Sequence, residues 1–148
     1  MSEQAIAANV DDEVQLPYLD VETTADTERF WSELAEGRIT IPWCTRCDTW
    51  VWHPRPICPQ CLEAVDDERT LTGDGTVYTF SIVHRAAPGF DDVGPYVLSY
   101  VALDGGPTVM SNIIGDGALD VAIGDRVRLV APDEDVKVGA CRFERLGA

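Results

Sequence analysis

The stretch CTRCDTWVWHPRPICPQC (residues 44–61) contains two Cys-x-x-Cys pairs separated by ten residues. A Cys-x-x-Cys turn presents two thiolates to one metal ion, and two such knuckles that face each other complete a tetrahedral Cys₄ shell. The ten-residue connection is short enough to bring both knuckles together. We therefore predict that one structural zinc ion is bound by Cys44, Cys47, Cys58 and Cys61.

Four paired thiols also have other uses. A Cys₄ shell can hold iron, and the spacing leaves that metal open. Redox-active dithiols are a further alternative, but such motifs accompany a βαβ pattern that this segment lacks. Because four cysteines fill the shell, no open position remains for a water molecule at the metal. We expect His53, in the connection, to be a packed or surface residue and not a ligand.

The residue after the second cysteine of each knuckle must turn with positive φ, and glycine is common there. Here these positions are Asp48 and Leu62. Aspartate tolerates this backbone conformation, whereas leucine does not adopt it readily. We therefore expect the second knuckle to be more open or more strained than the first.

Composition limits the class of protein. With 148 residues, 45% of them hydrophobic, the chain can form one domain or a small module joined to another. The net charge of −15 opposes binding to phosphate backbones or anionic lipid. No apolar run approaches the roughly 20 residues that span a bilayer, and the acidic N-terminus does not resemble a signal peptide. We expect a cytoplasmic protein, in which paired cysteines favour metal over disulfides.

The N-terminal part of the chain contains one helical pattern. Residues 1–16 are polar, small or acidic without a periodic apolar face, which predicts a disordered tail. In TADTERFWSELAEGRI, Thr24 or Asp26 can cap a short helix, and Gly37 can end it. The apolar side of this helix is aromatic, because it carries FW at positions 30 and 31.

Beyond Gly75 the sequence becomes rich in β-forming residues. Five runs are separated by glycine, proline and aspartate turns. They are TVYTFSIVH (76–84), YVLSYVAL (96–103), TVMSNII (108–114), RVRLVA (126–131) and VKVGACRFERL (136–146). A longer interruption between the third and fourth runs suits a five-stranded barrel of the OB type, with a sandwich fragment as the alternative.

The order of these segments resembles one family. FWSELAEGRI, the cysteine ribbon, GTVYTFSIVHR, PGF and SNIIG occur in sequence over about residues 24–146. They are similar to an acyl-CoA-associated family, catalogued as a domain of unknown function, in which a rubredoxin-like zinc ribbon precedes an OB-fold. Together with the composition of residues 1–16, the resemblance predicts a mainly β chain with four parts. These are a disordered acidic tail (1–16), an N-terminal docking helix region (17–40), a zinc ribbon (41–70) and an OB-fold (71–148).

The resemblance also implies a function. Members of the family accompany thiolases, thiolase-like aldolases, synthases or hydratase-type proteins that act on acyl-CoA thioesters. The small chain has no complete active site and helps to form or cover the substrate channel. We therefore expect a non-catalytic accessory subunit whose partner is a thiolase-type or thiolase-like aldolase subunit that cleaves or forms carbon–carbon bonds. A hydratase-type partner is the alternative.

The aromatic residues of the N-terminal half have two possible roles. The family's helix and ribbon often take part in docking, which implies a partner interface at Phe30, Trp31, Trp50 and Trp52. Independently of the resemblance, such a concentration of rings is typical of an interface core. A small ribbon also needs rings to cover its metal knuckles, so both roles remain open.

The loop AAPGFDDVGP follows the first barrel strand, where OB barrels commonly bind ligands. Arg85 could contact a CoA phosphate or a partner carboxylate. We expect His84, Arg85 and Phe90 to line a ligand or CoA channel, with a solvated strand end as the alternative. The fifth cysteine, Cys141, has no evident base partner and is expected to be a small buried apolar residue.

Zinc ribbons and OB-folds also occur in nucleic-acid-binding proteins. Tyr78 and Phe80 could stack on bases, but alternation along the strand places one strand face in the core. The chain has a single lysine, Lys137, and a strong negative charge. We therefore expect neither nucleic acid nor a membrane as the partner.

Overall fold

The structure, a computed structural model, describes residues 13–14, 16, 22–88, 93–132 and 141–147. A 3₁₀ turn covers Ala118–Asp120. The other elements, in chain order, are β1 (Glu13–Val14), α1 (Glu28–Ala35), β2 (Ile39–Cys44), β3 (Thr49–Trp50), β4 (Asp67–Leu71), β5 (Asp74–Val83), β6 (Tyr96–Leu103), β7 (Thr108–Asp116), β8 (Arg126–Leu129) and β9 (Arg142–Arg145).

Helix α1 ends at the predicted glycine. Gly37 has a φ of 76°, and its N–H donates to the Leu34 carbonyl at 2.9 Å. The N–H of Arg38 donates to the Glu33 carbonyl, also at 2.9 Å. This pair of hydrogen bonds is the usual glycine C-cap, which satisfies carbonyls that the helix leaves free.

The start of α1 differs from the prediction. The N-cap residue is Thr27, and neither Thr24 nor Asp26 occupies that position. The Thr27 hydroxyl accepts from the Thr24 N–H at 3.1 Å and makes no capping bond to the helix. The Thr24 carbonyl instead accepts the Glu28 N–H at 2.9 Å. A backbone turn therefore leads into the helix.

The ribbon is built on a three-stranded antiparallel sheet with the order β3-β2-β4. Its central strand, β2, places Ile39 and Ile41 in the main core, where each is at most 1% exposed. Phe30 and Leu34 of α1 belong to the same core. Strand β2 therefore connects the main core with the cysteine knuckle at its far end.

Strands β5 to β9 form a closed five-stranded barrel. They follow the order β7-β6-β5-β8-β9, and a parallel pairing of β7 with β9 closes the ring. Buried valines alternate with outward residues, as Val77, Val101 and Val109 show at paired positions. The mainly β class and the OB-type barrel are confirmed, and the sandwich alternative is wrong because the sheet closes on itself.

The N-terminal segment adds one short strand to the barrel. In β1, Glu13 pairs with Asp116, and Val14 pairs with Gly115. The guanidinium of the buried Arg142 donates to the Leu16 carbonyl. This end of the segment differs from the expected tail over 1–16, whereas residues 1–12 lie outside the described part of the chain. Residues 136–140 of the fifth predicted strand also lie outside it.

The close approach of β5 to β6 at Gly75 gives a stability prediction. A Cβ at this position would lie 2.7 Å from Val101 Cγ1 and 2.8 Å from the carbonyl oxygen of Ala102. Because that oxygen belongs to a paired strand, Gly75→Ala should lower the free energy of unfolding by about 1–3 kcal/mol in chemical denaturation. Gly94→Ala is the control, since nothing lies within 4 Å of its added methyl. Equal stabilities of the two variants would contradict this account of the barrel.

Candidate metal centre

The first knuckle is held by the β2–β3 hairpin. Cys44 is the last residue of β2 and pairs with Thr49 of β3, so the turn between them carries Cys47. Asp48 follows with a φ of 52°. The hairpin is extended by the Val51 N–H, which donates to the carbonyl of residue 42 at 2.8 Å. Strand pairing therefore fixes the positions of both thiols of the knuckle.

The second knuckle is a tight turn closed by backbone hydrogen bonds. The Cys58 N–H donates to the Glu63 carbonyl, and the Leu62 N–H donates to the Cys58 carbonyl, both at 2.9 Å. Leu62 has a φ of 62°, in the left-handed region. The residue is 75% exposed, so its burial does not compensate for this conformation. The knuckle is therefore closed, and the unfavourable conformation is at Leu62, where the sequence indicated it.

The four sulfur atoms lie within 4.8 Å of one another. The Sγ atoms of Cys44 and Cys61 are 3.7 Å apart, and those of Cys47 and Cys58 are 3.9 Å apart. A tetrahedral zinc ion with Zn–S bonds of about 2.3 Å requires sulfur separations of about 3.8 Å. The donor set therefore fits one zinc ion.

The protonation of the thiols explains why a cation is needed. The N–H groups of Cys61 and Gln60 lower the pKa of Cys58 to about 7. Burial, followed by hydrogen bonds from the neighbouring thiols, raises the pKa of Cys47 to about 12. Four thiols this close cannot all lose their protons without a cation, because the resulting thiolates would repel one another. Zinc would supply the compensating charge and displace the protons.

Two polar contacts connect the first knuckle with the chain around the second. The Thr45 N–H donates to Asp66 Oδ1 at 3.2 Å, and the Thr45 hydroxyl donates to the other carboxylate oxygen. These bonds lower the pKa of Asp66. Arg46 forms an ion pair with Glu63. Neither contact is predictable from the sequence, because partners 21 and 17 residues apart give no local signal.

The predicted interface aromatics belong to the main core or pack against it. Phe30 is 5% exposed, and its ring centroid is 5.1 Å from that of Trp31 and 5.3 Å from that of Trp52. Trp50 lies 4.9 Å from the buried Trp43 in an edge-to-face contact. The rings at 31, 50 and 52 are partly buried against the core. The interface role of all four stays a prediction.

The remaining predicted residues lie elsewhere. His84 and Arg85 are exposed directly after β5, and Phe90 lies outside the described residues. His53 is exposed and stacks on Trp52 with a centroid separation of 4.7 Å, away from the cysteine group. Burial raises the pKa of Cys141 to about 12, so its thiol is neutral.

Two family models match the chain. One is described as the rubredoxin-like zinc ribbon domain of ChsH2 and covers residues 31–66, and the other is its C-terminal OB-fold domain and covers residues 68–132. A DUF35 domain-containing scaffold protein of Methanocaldococcus jannaschii is 36% identical over 104 residues, which are 69% of this chain and 74% of that protein. The chain belongs to the DUF35 family. Together with the sulfur geometry, this confirms the predicted site for one zinc ion.

Two solved structures and a further relative extend the comparison. The fold superimposes on a chain of the Ltp2-ChsH2(DUF35) aldolase with a TM-score of 0.71 and 26% identity, covering 84% of this chain and 98% of that one. A probable enoyl-CoA hydratase alpha subunit of Thermomonospora curvata is 33% identical over 97 residues, which are 64% of this chain and 30% of that protein. A DUF35 protein of Sulfolobus solfataricus shares the fold at 14% identity and a TM-score of 0.62.

None of the described helices of this DUF35 protein combines the length and hydropathy that a membrane span requires. In the same residues, no second group of three or more histidine, cysteine, aspartate or glutamate side chains is placed to hold a metal ion. The metal-binding chemistry of the described chain is therefore concentrated in the ribbon.

Cys58→Ser should release the zinc, because it removes a buried ligand with the lowered thiol pKa and leaves three thiols for one ion. Elemental analysis of the purified protein measures the loss. Cys141→Ser is the matched control and should retain one zinc per chain. A Cys58→Ser protein with a full complement of zinc would exclude the Cys₄ site.

Position 62 tests the backbone conformation of the second knuckle. Leu62→Gly should raise the free energy of unfolding by about 0.5 kcal/mol, since removing the left-handed penalty outweighs the added flexibility of the unfolded chain. Leu62→Val should lower it by about 1 kcal/mol, because a β-branched residue tolerates positive φ least. Denaturant titration of both zinc-loaded variants measures the order. The reverse order would show that the knuckle does not turn this way.

Proposed function

We propose that this chain is a non-catalytic accessory subunit of a heteromeric thiolase-type or aldolase complex that acts on acyl-CoA thioesters. The complex would cleave or form carbon–carbon bonds, and this chain would help to form or cover its substrate channel. The observation that carries the proposal is the likeness to the Ltp2-ChsH2(DUF35) aldolase, which extends over 98% of the matched chain. The scaffold proteins of the same family support it.

The chemistry of the described residues supports a non-catalytic role. A zinc ion held by four cysteines has no open position at which substrate or water could react. Both histidines, His53 and His84, are exposed, and the Cys141 thiol is neutral because its pKa is raised to about 12. A general base or nucleophile ordinarily lies in a cleft with its pKa shifted toward the working pH. The reacting groups are therefore assigned to the partner subunit.

The end of β5 is the proposed contact with the thioester. Arg85 and His84 are exposed where the chain enters the β5–β6 connection. No carboxylate of the described residues forms an ion pair with Arg85. A free guanidinium at this position can bind a CoA phosphate through paired N–H donors. Phe90, in the same connection, is proposed to complete this side of the channel.

The aromatic cluster is proposed as one part of the partner interface. Trp31, Trp50 and Trp52 retain exposed surface while their inner edges pack on the core. Phe30 lies beneath two of them and holds their rings in place. Rigid, partly exposed rings of this kind contribute strongly to interface cores.

A hydratase-type partner is the second candidate. The relative in Thermomonospora curvata that carries the name of an enoyl-CoA hydratase alpha subunit supports it, because it contains a segment 33% identical to this chain. With either partner, the protein is proposed to act in the cytoplasm on an acyl-CoA substrate. A nucleic-acid partner is not favoured, since the net charge of −15 would repel phosphates.

Affinity purification of the tagged full chain from its native host, followed by mass spectrometry, tests the proposal. A stoichiometric thiolase- or aldolase-type chain is the expected result, and a hydratase-type chain would favour the second candidate. If neither type is retained and the protein instead binds single-stranded nucleic acid tightly, the proposal is wrong.

Arg85→Ala should raise the KM of the complex for its CoA thioester about fivefold to tenfold with little change in kcat, because a phosphate contact serves ground-state binding. Arg55→Ala is the matched control, since Arg55 is also an exposed arginine without an ion pair in the described chain but lies in the ribbon. Steady-state kinetics of the purified complexes measures both values. An unchanged KM in Arg85→Ala would remove this residue from the channel.

A further inference from the structure

Three neighbouring barrel strands lack charge along nearly their whole length. Strands β5, β6 and β7 contain only two charged residues, Asp74 and Asp116, at the first position of β5 and the last position of β7. In the whole chain, 25% of the residues are charged. Outward positions of a solvent-facing antiparallel sheet are ordinarily polar or charged. The outer side of these strands therefore has fewer charged residues than a solvent-facing sheet ordinarily has.

The strand register places exposed apolar side chains next to one another. Tyr100 of β6 pairs with Met110 of β7 and with Thr79 of β5. Directly paired residues point to the same side of the sheet, and the two large side chains are 45% and 59% exposed. Leu98 precedes Tyr100 by two residues in β6, so it lies on the same side of the sheet, and it is 38% exposed. These residues form a continuous apolar strip.

A β-bulge adds a second tyrosine to this strip. The register of β5 shifts between Val77 and Thr79, so that Tyr78 is the extra residue without a partner on β6. Its side chain is 67% exposed, whereas Val77 is 1% exposed in the core. Bulges commonly redirect a side chain in this way. We call the surface formed by Tyr78, Leu98, Tyr100 and Met110 the barrel face.

The barrel face has the composition of an interface core. Tyrosine and methionine are enriched at protein interfaces, and charged residues are depleted from their centres. The core of the barrel is filled by inward valines and isoleucines, so the four side chains are not needed for its packing. Asp116, the last residue of β7, and Asp120, in the turn that follows, are exposed. The matching partner surface is therefore apolar at its centre and neutral or basic at its edge.

We infer that the enzyme subunit of the proposed complex docks on the barrel face, an inference that rests on the proposed function. Two copies of this chain would each bring a net charge of −15 to a shared interface, which opposes self-association. A nucleic acid would find aromatic rings but no cation on the face to neutralise its phosphates. A partner protein whose interface is neutral or basic at its edge would neither be repelled by the acidic chain nor need cations on the barrel face.

The position of the barrel face agrees with a role in covering a substrate channel. Ser81 pairs with Leu98 at the edge of the face, and His84 follows Ser81 by three residues. At about 3.3 Å per residue, the distance along the strand is about 10 Å. A subunit seated on the face would thus meet the loop that begins at Arg85. Docking and thioester contact are placed on one continuous surface.

The test uses the purified enzyme subunit identified by affinity purification with the wild-type chain. Met110→Lys and Tyr100→Lys each place a charge at the centre of the barrel face, and both positions already tolerate solvent. Each should weaken the complex at least about 30-fold in isothermal titration calorimetry, as expected for interface residues of this type. Leu119→Lys is the control, because Leu119 is an exposed apolar residue in the 3₁₀ turn, outside the paired strands. It should bind within about threefold of wild type.

Zinc content and melting temperature, unchanged in all three variants, show that each is folded. If wild type binds the enzyme subunit and both face variants bind equally well, the docking inference is wrong while the proposed function stands. If the control weakens binding as much as the face variants, the barrel face is not the specific site. Self-association or oligonucleotide binding by wild type that Met110→Lys abolishes would assign the face to a second copy or to nucleic acid and overturn the inference. If wild type retains no such enzyme subunit, the proposed function fails first.

Discussion

Four buried or half-buried cysteine sulfurs within 4.8 Å of one another can all be thiolates only if a cation compensates their charge. Apart from strand pairing and two polar contacts, the ribbon has only a small apolar cluster of its own. Its own buried apolar cluster consists of Val51 with two of the metal-binding cysteines. Metal binding therefore replaces the hydrophobic core that a segment of this size cannot build. The positions of both knuckles, and of the loop between them, depend on it.

Strand β2 transmits this constraint to the rest of the molecule. One end of the strand supplies Cys44 to the metal shell, and the other places Ile39 and Ile41 in the core that the helix and barrel share. The tryptophans of the ribbon pack against that same core. The zinc centre thus serves as a structural anchor, while the barrel presents the uncharged face and the exposed Arg85. The distribution of groups is typical of a subunit that positions a partner.

The sequence predicted the features that local rules determine. Cysteine spacing identified the metal shell, residue alternation identified the barrel strands, and Gly37 identified the end of the helix. Pairings between distant residues carry no such local signal, so the contact of Thr45 with Asp66 was missed. The bulge at Tyr78 was missed for a related reason, because a shift of one residue becomes visible only in the register with β6. The choice of Thr27 as N-cap reflects a backbone turn that side-chain preferences alone do not specify.

Reconstitution of thioester turnover tests the central claim most directly. The purified enzyme subunit is titrated with increasing amounts of this zinc-loaded chain, and cleavage or formation of the acyl-CoA thioester is followed. The account predicts little turnover by either protein alone and a rise in activity that stops at a fixed molar ratio. Turnover of the thioester by this chain alone, or an enzyme whose activity does not respond to it, would contradict the account.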